Sequence, residues 1–352
     1  MRPRPSLLLA AFFLALSAQA QPVLEIVHLN IGQGDATLIL GPPVAGERVS
    51  VLVDAGNIRS PDGGAIVHAA LTRRGLAAVD YFVASHYDAD HIGGFAGGQD
   101  FPFGGTSFVL GPDGLPDTPD DIAVGTVVDR GTEGLSSDPS DTYVSYRAIA
   151  GGSDYLPLVD RDDVENFTLD LGHGATLRAV AANGWVLGRP TRVPQVNTEN
   201  ERSIALLLTY RGFDYLIGGD TIGRAHGNED ARVEEAIGAY LAQEDVDVDV
   251  LHVNHHGANN ASDAGFLGQI APEVAIISTG NGNTHAHPNT SALSRLATAG
   301  VRLIYQTEGG ESSPRPSLEV RRRQAVAQGD VIVRTNGRSY EVRTSQTFPV
   351  DE

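Results

Sequence analysis

Residues 85 to 94, Ser-His-Tyr-Asp-Ala-Asp-His-Ile-Gly-Gly, place two histidines and two aspartates within six positions and then run into two glycines. The cluster directly follows the apolar run Tyr81-Phe82-Val83-Ala84. Such side chains are costly beside a core unless they have partners, and a divalent cation is a partner for imidazoles and carboxylates together. His86, Asp88, Asp90 and His91 are therefore candidate metal ligands. Two further groups stand where apolar runs stop: Asp220 after Gly219, and the pair His255-His256 before Gly257. Taken alone, the first reads as a turn and the second as an accident of core or surface. The cluster at 85–94 gives both a reason. Ligands at strand ends converge on one edge of a sheet, where sites in layered α/β folds lie.

The elements that must position these residues are legible from periodicity and turn chemistry. Residues 23–29 and 36–40 read as strands around Gly32-Gln33-Gly34-Asp35, and 49–53 as a third strand ending at Asp54-Ala55-Gly56. Residues 64–74 have helical spacing and stop at Gly75, after which 79–84 is a buried strand that delivers the cluster. Farther on, 203–209 and 214–218 read as strands, 233–241 as a helix, 248–253 as a strand and 264–270 as a helix. A strand at 274–278, a helix at 291–299 and a strand at 301–306 follow, and a last pair, 330–334 and 339–344, turns at Asn336-Gly337. This order predicts a layered α/β domain, and no linker divides it.

The chain has 352 residues, 41% of them hydrophobic, enough to bury a sizeable core. Arg2 and Arg4, an apolar run at 7–16 and Ala18-Gln19-Ala20 have the form of an export signal cleaved after residue 20. The run falls short of the roughly 20 residues that span a bilayer. Residues 21–352 are thus expected to be the mature domain, secreted or periplasmic and without a membrane segment. Cysteine is absent, so no disulfide supports the fold and the redox state of the surroundings has no bearing on it. The formal charge is −19 and every basic residue apart from histidine is arginine. Such a surface repels polyanions and argues against tight non-specific nucleic-acid binding, although a metal site can still hold one phosphate. No Gly-x-Ser-x-Gly motif supports serine hydrolysis. Residues 95–130, rich in Gly, Pro and Asp, read as an irregular insert beside the site that is expected to tune specificity. Within its 111–121 loop, Asp113, Asp117, Asp120 and Asp121 suggest either calcium or a solvated acidic turn; their spacing does not fit the twelve-residue calcium loop.

His86-x-Asp88-x-Asp90-His91 followed by Gly93-Gly94 resembles the signature of the metallo-β-lactamase fold superfamily, in the variant whose second ligand is Asp. Leu29-Asn-Ile-Gly-Gln-Gly-Asp-Ala36, Val53-Asp-Ala-Gly56, Asn200-x-x-Ser203, Gly219-Asp220, Val253-Asn-His-His-Gly257 and His287-Pro288 resemble the hydrolase domain of ComEC-type DNA-uptake proteins and their free-standing secreted relatives. A bacterial phosphorylcholine esterase belongs to the same neighbourhood. The resemblance covers most of the mature chain and implies an α/β fold, the four-layer αβ/βα metallo-β-lactamase sandwich. It also implies two divalent metal ions, zinc in the usual case, with manganese suited to a site this rich in carboxylates. By position His86 and Asp88 hold one ion, Asp90, His91 and His256 the other, and Asp220 bridges them. His256 precedes the glycine as the family ligand does, which turns His255 toward substrate; the reverse order is the alternative. One departure matters. Lactamase-like members supply a histidine shortly before the strand that leads to the bridging aspartate, and residues 197–203 have none, so the first ion is short of a protein ligand.

Two cations about 3.5–4 Å apart share a water and lower its pKa toward neutrality. Asp90 or Asp220 would orient that metal-bridged hydroxide, and His255, His287 and Asn283 would meet the charge that builds on the attacked group. His287 also reads as a turn residue before Pro288. Asp35 and Asp54 suit roles behind the ligands, holding imidazoles in one tautomer, or serve as turn formers. The chemistry that fits is hydrolysis of a phosphate ester, above all a phosphodiester in nucleic acid or in a small choline-type ester. A lactam is disfavoured by the Asp ligand and the missing histidine. The alternative is a non-catalytic secreted binding or uptake-accessory protein in which metal serves folding.

Overall fold

The structure is a computed structural model that describes residues 21–59, 61–97, 104–194, 196–223 and 232–345. The expected export signal, residues 1–20, lies outside the described residues. Strand β1 (Leu24–His28) pairs antiparallel with β2 (Thr37–Leu40), and β2 with β3 (Ser50–Val53). Helix α1 (Gly63–Arg73), capped by the Asp62 carboxylate on Ala65 N, crosses to β4 (Ala78–Val83), which lies parallel to β3. Helix α2 (Ala89–Ala96) follows, then β5 (Ala123–Asp129), α3 (Asp141–Ala150) and β6 (Asp154–Pro157), both strands parallel to β4.

The chain then enters a second sheet. Helix α4 (Arg161–Asn166) precedes β7 (Thr168–Gly172), β8 (Ala175–Ala182) and the short β9 (Trp185–Val186); β10 (Ala205–Tyr210) and β11 (Phe213–Ile217) continue antiparallel. From there the connections cross over: α5 (Val233–Gln243) leads to β12 (Val250–His252), α6 (Ala264–Ile270) to β13 (Val274–Ile277), α7 (Thr290–Thr298) to β14 (Leu303–Gln306) and α8 (Leu318–Arg321) to β15 (Gln324–Val326), all parallel. The closing hairpin β16 (Val331–Thr335) and β17 (Tyr340–Thr344) returns to the first sheet beside β1. The sheet orders are β17-β16-β1-β2-β3-β4-β5-β6 and β15-β14-β13-β12-β11-β10-β8-β7, with β9 on β8.

Residue alternation explains the layers. Leu24 and Ile26 of β1 enter the core between the sheets with Val51, Val83, Leu206, Leu208, Val250 and Ile276. Their neighbours Val27, Leu38, Leu52 and Phe82 face the other way and bury Val67, Leu71, Ile92, Phe95 and Tyr146 of α1, α2 and α3. In the second sheet Leu207, Leu216, Leu251 and Ile304 do the same for Ile237, Leu241, Phe266 and Leu293 of α5, α6 and α7. A strand buried on both faces must be apolar at both parities, as β2, β3 and β13 are. The result is the four-layer αβ/βα sandwich expected from the resemblance. Among the described residues no helix is long and apolar enough to cross a membrane.

The expected insert needs correction. Helix α2 runs to Ala96 and residues 123–129 are β5, so the irregular segment is 97–122, of which 98–103 lie outside the described residues. Gly125 hid the strand signal; a Cβ there would lie 2.6 Å from Asp80 O, so close pairing with β4 demands glycine. Residues 104–122 are anchored to the outer helices. His68 Nε2 donates to Asp120 O at 2.7 Å, Phe108 N to Gly94 O at 2.8 Å, and the buried Phe108 ring packs on Phe82 and Phe95. The loop carboxylates serve its own turns: Asp113 accepts from Leu115 N, Asp120 from Asp113 N and Asp121 from Thr118 N. One oxygen of each of these three carboxylates also lies 2.8–3.4 Å from Thr118 Oγ1, so the loop gathers its acidic groups around its own hydroxyl.

Candidate metal centre

Strand β4 ends one residue before Ala84-Ser85-His86, and α2 begins at Ala89. Asp88 is the N-cap, yet its carboxylate makes no capping bond and instead lies 3.5 Å from His86 Nε2. Asp90 and His91 fall in the first turn of α2. The two glycines after them let that helix touch backbone: a Cβ on Gly94 would lie 2.1 Å from Ala55 O, and one on Gly93 2.5 Å from Ile58 N. Asp220 follows β11, with Gly219 at φ +54, and His255 and His256 follow β12. Parallel pairing of β11 with β12 brings these two strand ends together.

Four of the candidate histidines converge on one carboxylate. Asp220 Oδ1 lies 3.4 Å from His91 Nε2, and Asp220 Oδ2 lies 3.6 Å from His256 Nε2, 3.7 Å from His255 Nε2 and 3.9 Å from His86 Nε2. Asp90 Oδ2 is 3.4 Å from His256 Nε2. His86 Nε2, His91 Nε2, His256 Nε2 and Asp220 Oδ1 are buried with no hydrogen-bond partner. Four orphaned polar atoms around one point are costly unless an ion fills it.

The remaining ring nitrogens show which lone pairs are free. His91 Nδ1 donates to Asp54 Oδ2 at 2.9 Å, and His256 Nδ1 donates to Ser278 O at 3.1 Å. The Ser85 hydroxyl donates to Asp54 Oδ2 at 2.7 Å, so at its 3.0 Å contact with His86 it accepts from Nδ1. Each neutral ring therefore holds its proton on Nδ1 and turns an Nε2 lone pair inward, as metal-ligating histidines do. Without an ion, protons take its place. Burial opposes it, but Asp220 and Asp54 hold the His91 pKa well above the usual histidine range, and Asp220, Asp35 and Asp90 push His256 up to about 9. Burial likewise opposes ionisation of Asp220, yet His91, His256 and His255 hold it well below the carboxylate range.

Asp35, expected behind the ligands, lies 3.1 Å from His252 Nε2 and 3.8 Å from His256 Nδ1, and it groups with His91, Asp220 and His256 at a spacing that could hold an ion. Two histidines not singled out in the sequence stand behind it. His252 packs on His28 at 4.7 Å between ring centroids, and His28 Nε2 meets Tyr215 OH at 2.9 Å. A histidine that ends a mostly apolar strand, as in β1 and β12, is the signal that marks them. His287 stands beside the centre, its ring 5.5 Å from His255 and 5.9 Å from His256. Burial and the neighbouring histidines push its pKa down to about 3, which keeps it neutral. Gln33 Oε1 accepts from Gly280 N at 3.4 Å, so its Nε2 donates to His287 Nδ1 at 3.5 Å and the ring proton sits on Nε2. Asn283, expected to face the reacting group, instead donates to Gly280 O and His287 O and folds its own loop.

The loop that carries His255 and His256 is pinned by Glu234 of α5, which is fully buried and accepts from Asn254 Nδ2 at 2.7 Å, Ser262 N at 2.6 Å and Asp263 N at 2.9 Å. Burial pushes its pKa up to about 7, even though the three donors favour the carboxylate. A folded-state pKa above the free value of 4.5 means that stability present below pH 4.5 is lost as pH rises through about 7. Glu234→Gln removes that titration. Denaturant titrations of the chelated protein across this range should show a flatter pH dependence for the variant; identical slopes would refute the account.

Two face-to-face mixed sheets, helices on both outer faces and a His/Asp centre at the strand ends define the metallo-β-lactamase fold. In sequence the chain is similar to competence proteins. It is 24% identical over 299 residues to ComE operon protein 3 of Bacillus subtilis, covering 81% of this chain and 32% of that protein. Over 314 residues it is 24% identical to competence protein ComA of Neisseria gonorrhoeae, covering 86% and 34%. The chain thus spans about a third of the length of the curated relatives it matches. No family model matches it. Solved structures similar to it include a diphosphatase from the PhnP family, 14% identical, covering 88% of this chain and 96% of that one at a TM-score of 0.39. Another is Tm1679, described as a metal-dependent hydrolase of the β-lactamase superfamily, 11% identical, covering 86% and 95% at a TM-score of 0.38.

Proposed function

We propose that this chain is an exported metal-dependent hydrolase that cleaves phosphodiesters with two divalent ions, zinc or manganese. The observation that carries the reading is Asp220, whose two oxygens lie 3.4–3.9 Å from the Nε2 atoms of four histidines, three of them without a hydrogen-bond partner. His86, Asp88 and Asp220 would hold one ion and Asp90, His91, His256 and Asp220 the other. When bound there, such ions neutralise substrate charge and acidify water for an in-line displacement. The protein's own part is to orient and to donate. Asp54 and Ser278 fix the ligand rings through their Nδ1 protons. The Asp88 side chain is 46% exposed and that of Asp90 28%, so substrate approaches from that rim. His287, neutral and with its proton on Nε2, is placed to donate to charge that develops on a phosphoryl oxygen.

The resemblance to DNA-uptake proteins favours nucleic acid as substrate, and the charge of −19 favours a small ester. Both are phosphodiesters, and bis(p-nitrophenyl) phosphate stands in for both. The purified chain should carry about two zinc or manganese ions and hydrolyse this diester, with turnover lost on chelation and restored by either metal. Bound metal without turnover on any ester would overturn the enzyme reading in favour of a metal-stabilised binding protein.

A further inference from the structure

We infer that His255 is a ligand of the first ion and replaces, from the loop after β12, the histidine that residues 197–203 lack; this rests on the two-ion reading above. His255 Nε2 lies 3.7 Å from Asp220 Oδ2, the same oxygen that stands 3.9 Å from His86 Nε2. His86 Nε2 in turn is 3.5 Å from Asp88 Oδ2. Two donors about 2.1 Å from one tetrahedral ion are roughly 3.4 Å apart, and these three pairs stand within about 0.5 Å of that spacing, so we assign His86, Asp88, Asp220 and His255 to the first ion. The neighbouring His256 serves the other side, with Nε2 3.4 Å from Asp90 Oδ2.

The backbone gives the reason why adjacent residues can do this. His255, His256 and Gly257 have φ of 52°, 53° and 73°, three successive left-handed residues of which two carry large side chains. Such a conformation costs energy at each non-glycine position and persists only where the surroundings impose it. Here His255 N donates to Gly219 O at 3.1 Å, Ala258 N to His255 O at 2.7 Å and Asn289 N to Gly257 O at 2.7 Å. The tie to Gly219, next to the bridging aspartate, fixes His255 relative to Asp220. A centre that used His256 alone would need neither the second left-handed histidine nor its approach to Asp220. Asn200, from the stretch without a histidine, meets His255 Nε2 at 3.1 Å and aims the ring inward; ion uptake exchanges this hydrogen bond for a coordinate bond.

The test is the ion count of His255→Asn. Asparagine tolerates a left-handed backbone, so the turn survives while the side chain becomes too short to reach the ion. Protein stripped with chelator is titrated calorimetrically with Zn²⁺ and separately with Mn²⁺, with thermal unfolding of each stripped protein as the check on folding. Wild type should take up two ions. His255→Asn should take up one at wild-type affinity and bind the other at least about 100-fold more weakly. His255→Gln, closer in length, should show the same loss and covers the case in which the asparagine variant fails to fold. Two ions at unchanged affinity in a folded variant would overturn the inference and return His255 to substrate contact. A single ion in wild type would instead overturn the two-ion reading, and the inference with it, before any variant is compared.

Discussion

Asp220→Ala is expected to empty both metal positions and to lower phosphodiester turnover by at least about 10³-fold, while the chain stays folded. The expectation follows from where charge sits. Asp220 is fully enclosed and its oxygens divide between the two halves of the centre, Oδ1 toward His91 at 3.4 Å and Oδ2 toward His86, His255 and His256 at 3.6–3.9 Å. On the two-ion reading, removing it would take a ligand from both ions at once and the negative charge that would let two cations lie close together. The fold should tolerate the change, because the charge lost is one that keeps His91 and His256 protonated in the ion-free protein. Those rings can give up their protons and remain as buried neutral imidazoles. Asp220→Asn separates charge from shape and should behave in the same way. Elemental analysis, circular dichroism and diester turnover on both variants are the measurements, and two ions retained in either would refute the bridging role.

Stripping the ions should lower the melting temperature, by an amount that grows with pH. An ion held at a free concentration 1,000 times its Kd stabilises the folded state by about 4 kcal/mol, and two ions by more. In the ion-free protein, protons on the histidines supply part of that charge balance. His256 is pushed up to about 9 from a free value of 6.5, so the stability its proton lends is present below pH 6.5 and is lost as pH rises through about 9. The loaded protein has no such proton to lose, since ligation requires the free lone pair. The gap between loaded and stripped melting temperatures should therefore widen from pH 6.5 to 9. A constant gap would show that the histidines of the stripped protein are already neutral. The same linkage predicts weaker ion binding at low pH, where protons compete for Nε2.

The metal-binding chemistry was readable because it is local. His86, Asp88, Asp90 and His91 lie within one strand-to-helix turn, so their composition alone announces a shared partner, and the glycines after them announce a close helix approach. Main strands such as β1, β3 and β4 were readable from the 24–83 region because apolar alternation is a local property too. Strand β5 was not, since its glycine is required only by Asp80 of the neighbouring strand. Composition in the acidic 111–121 loop counts carboxylates but cannot see that Asp113, Asp120 and Asp121 accept from the loop's own backbone and gather at Thr118 Oγ1.

The sequence by itself thus determined the layered fold and the strand ends that bear its clustered histidines and aspartates. Only the tertiary structure decided which lone pairs are free and which histidine meets which carboxylate. Tautomers are set by Asp54, Ser85 and Ser278, which lie up to 37 positions from the rings they orient. The inward turn of both His255 and His256 depends on three left-handed residues held by Gly219 and Asn289. The buried His28, Asp35 and His252 meet only because two sheets face each other. Hydrogen bonds and coordination depend on distances of a few tenths of an ångström between atoms remote in the chain, and no local pattern of residues encodes those distances.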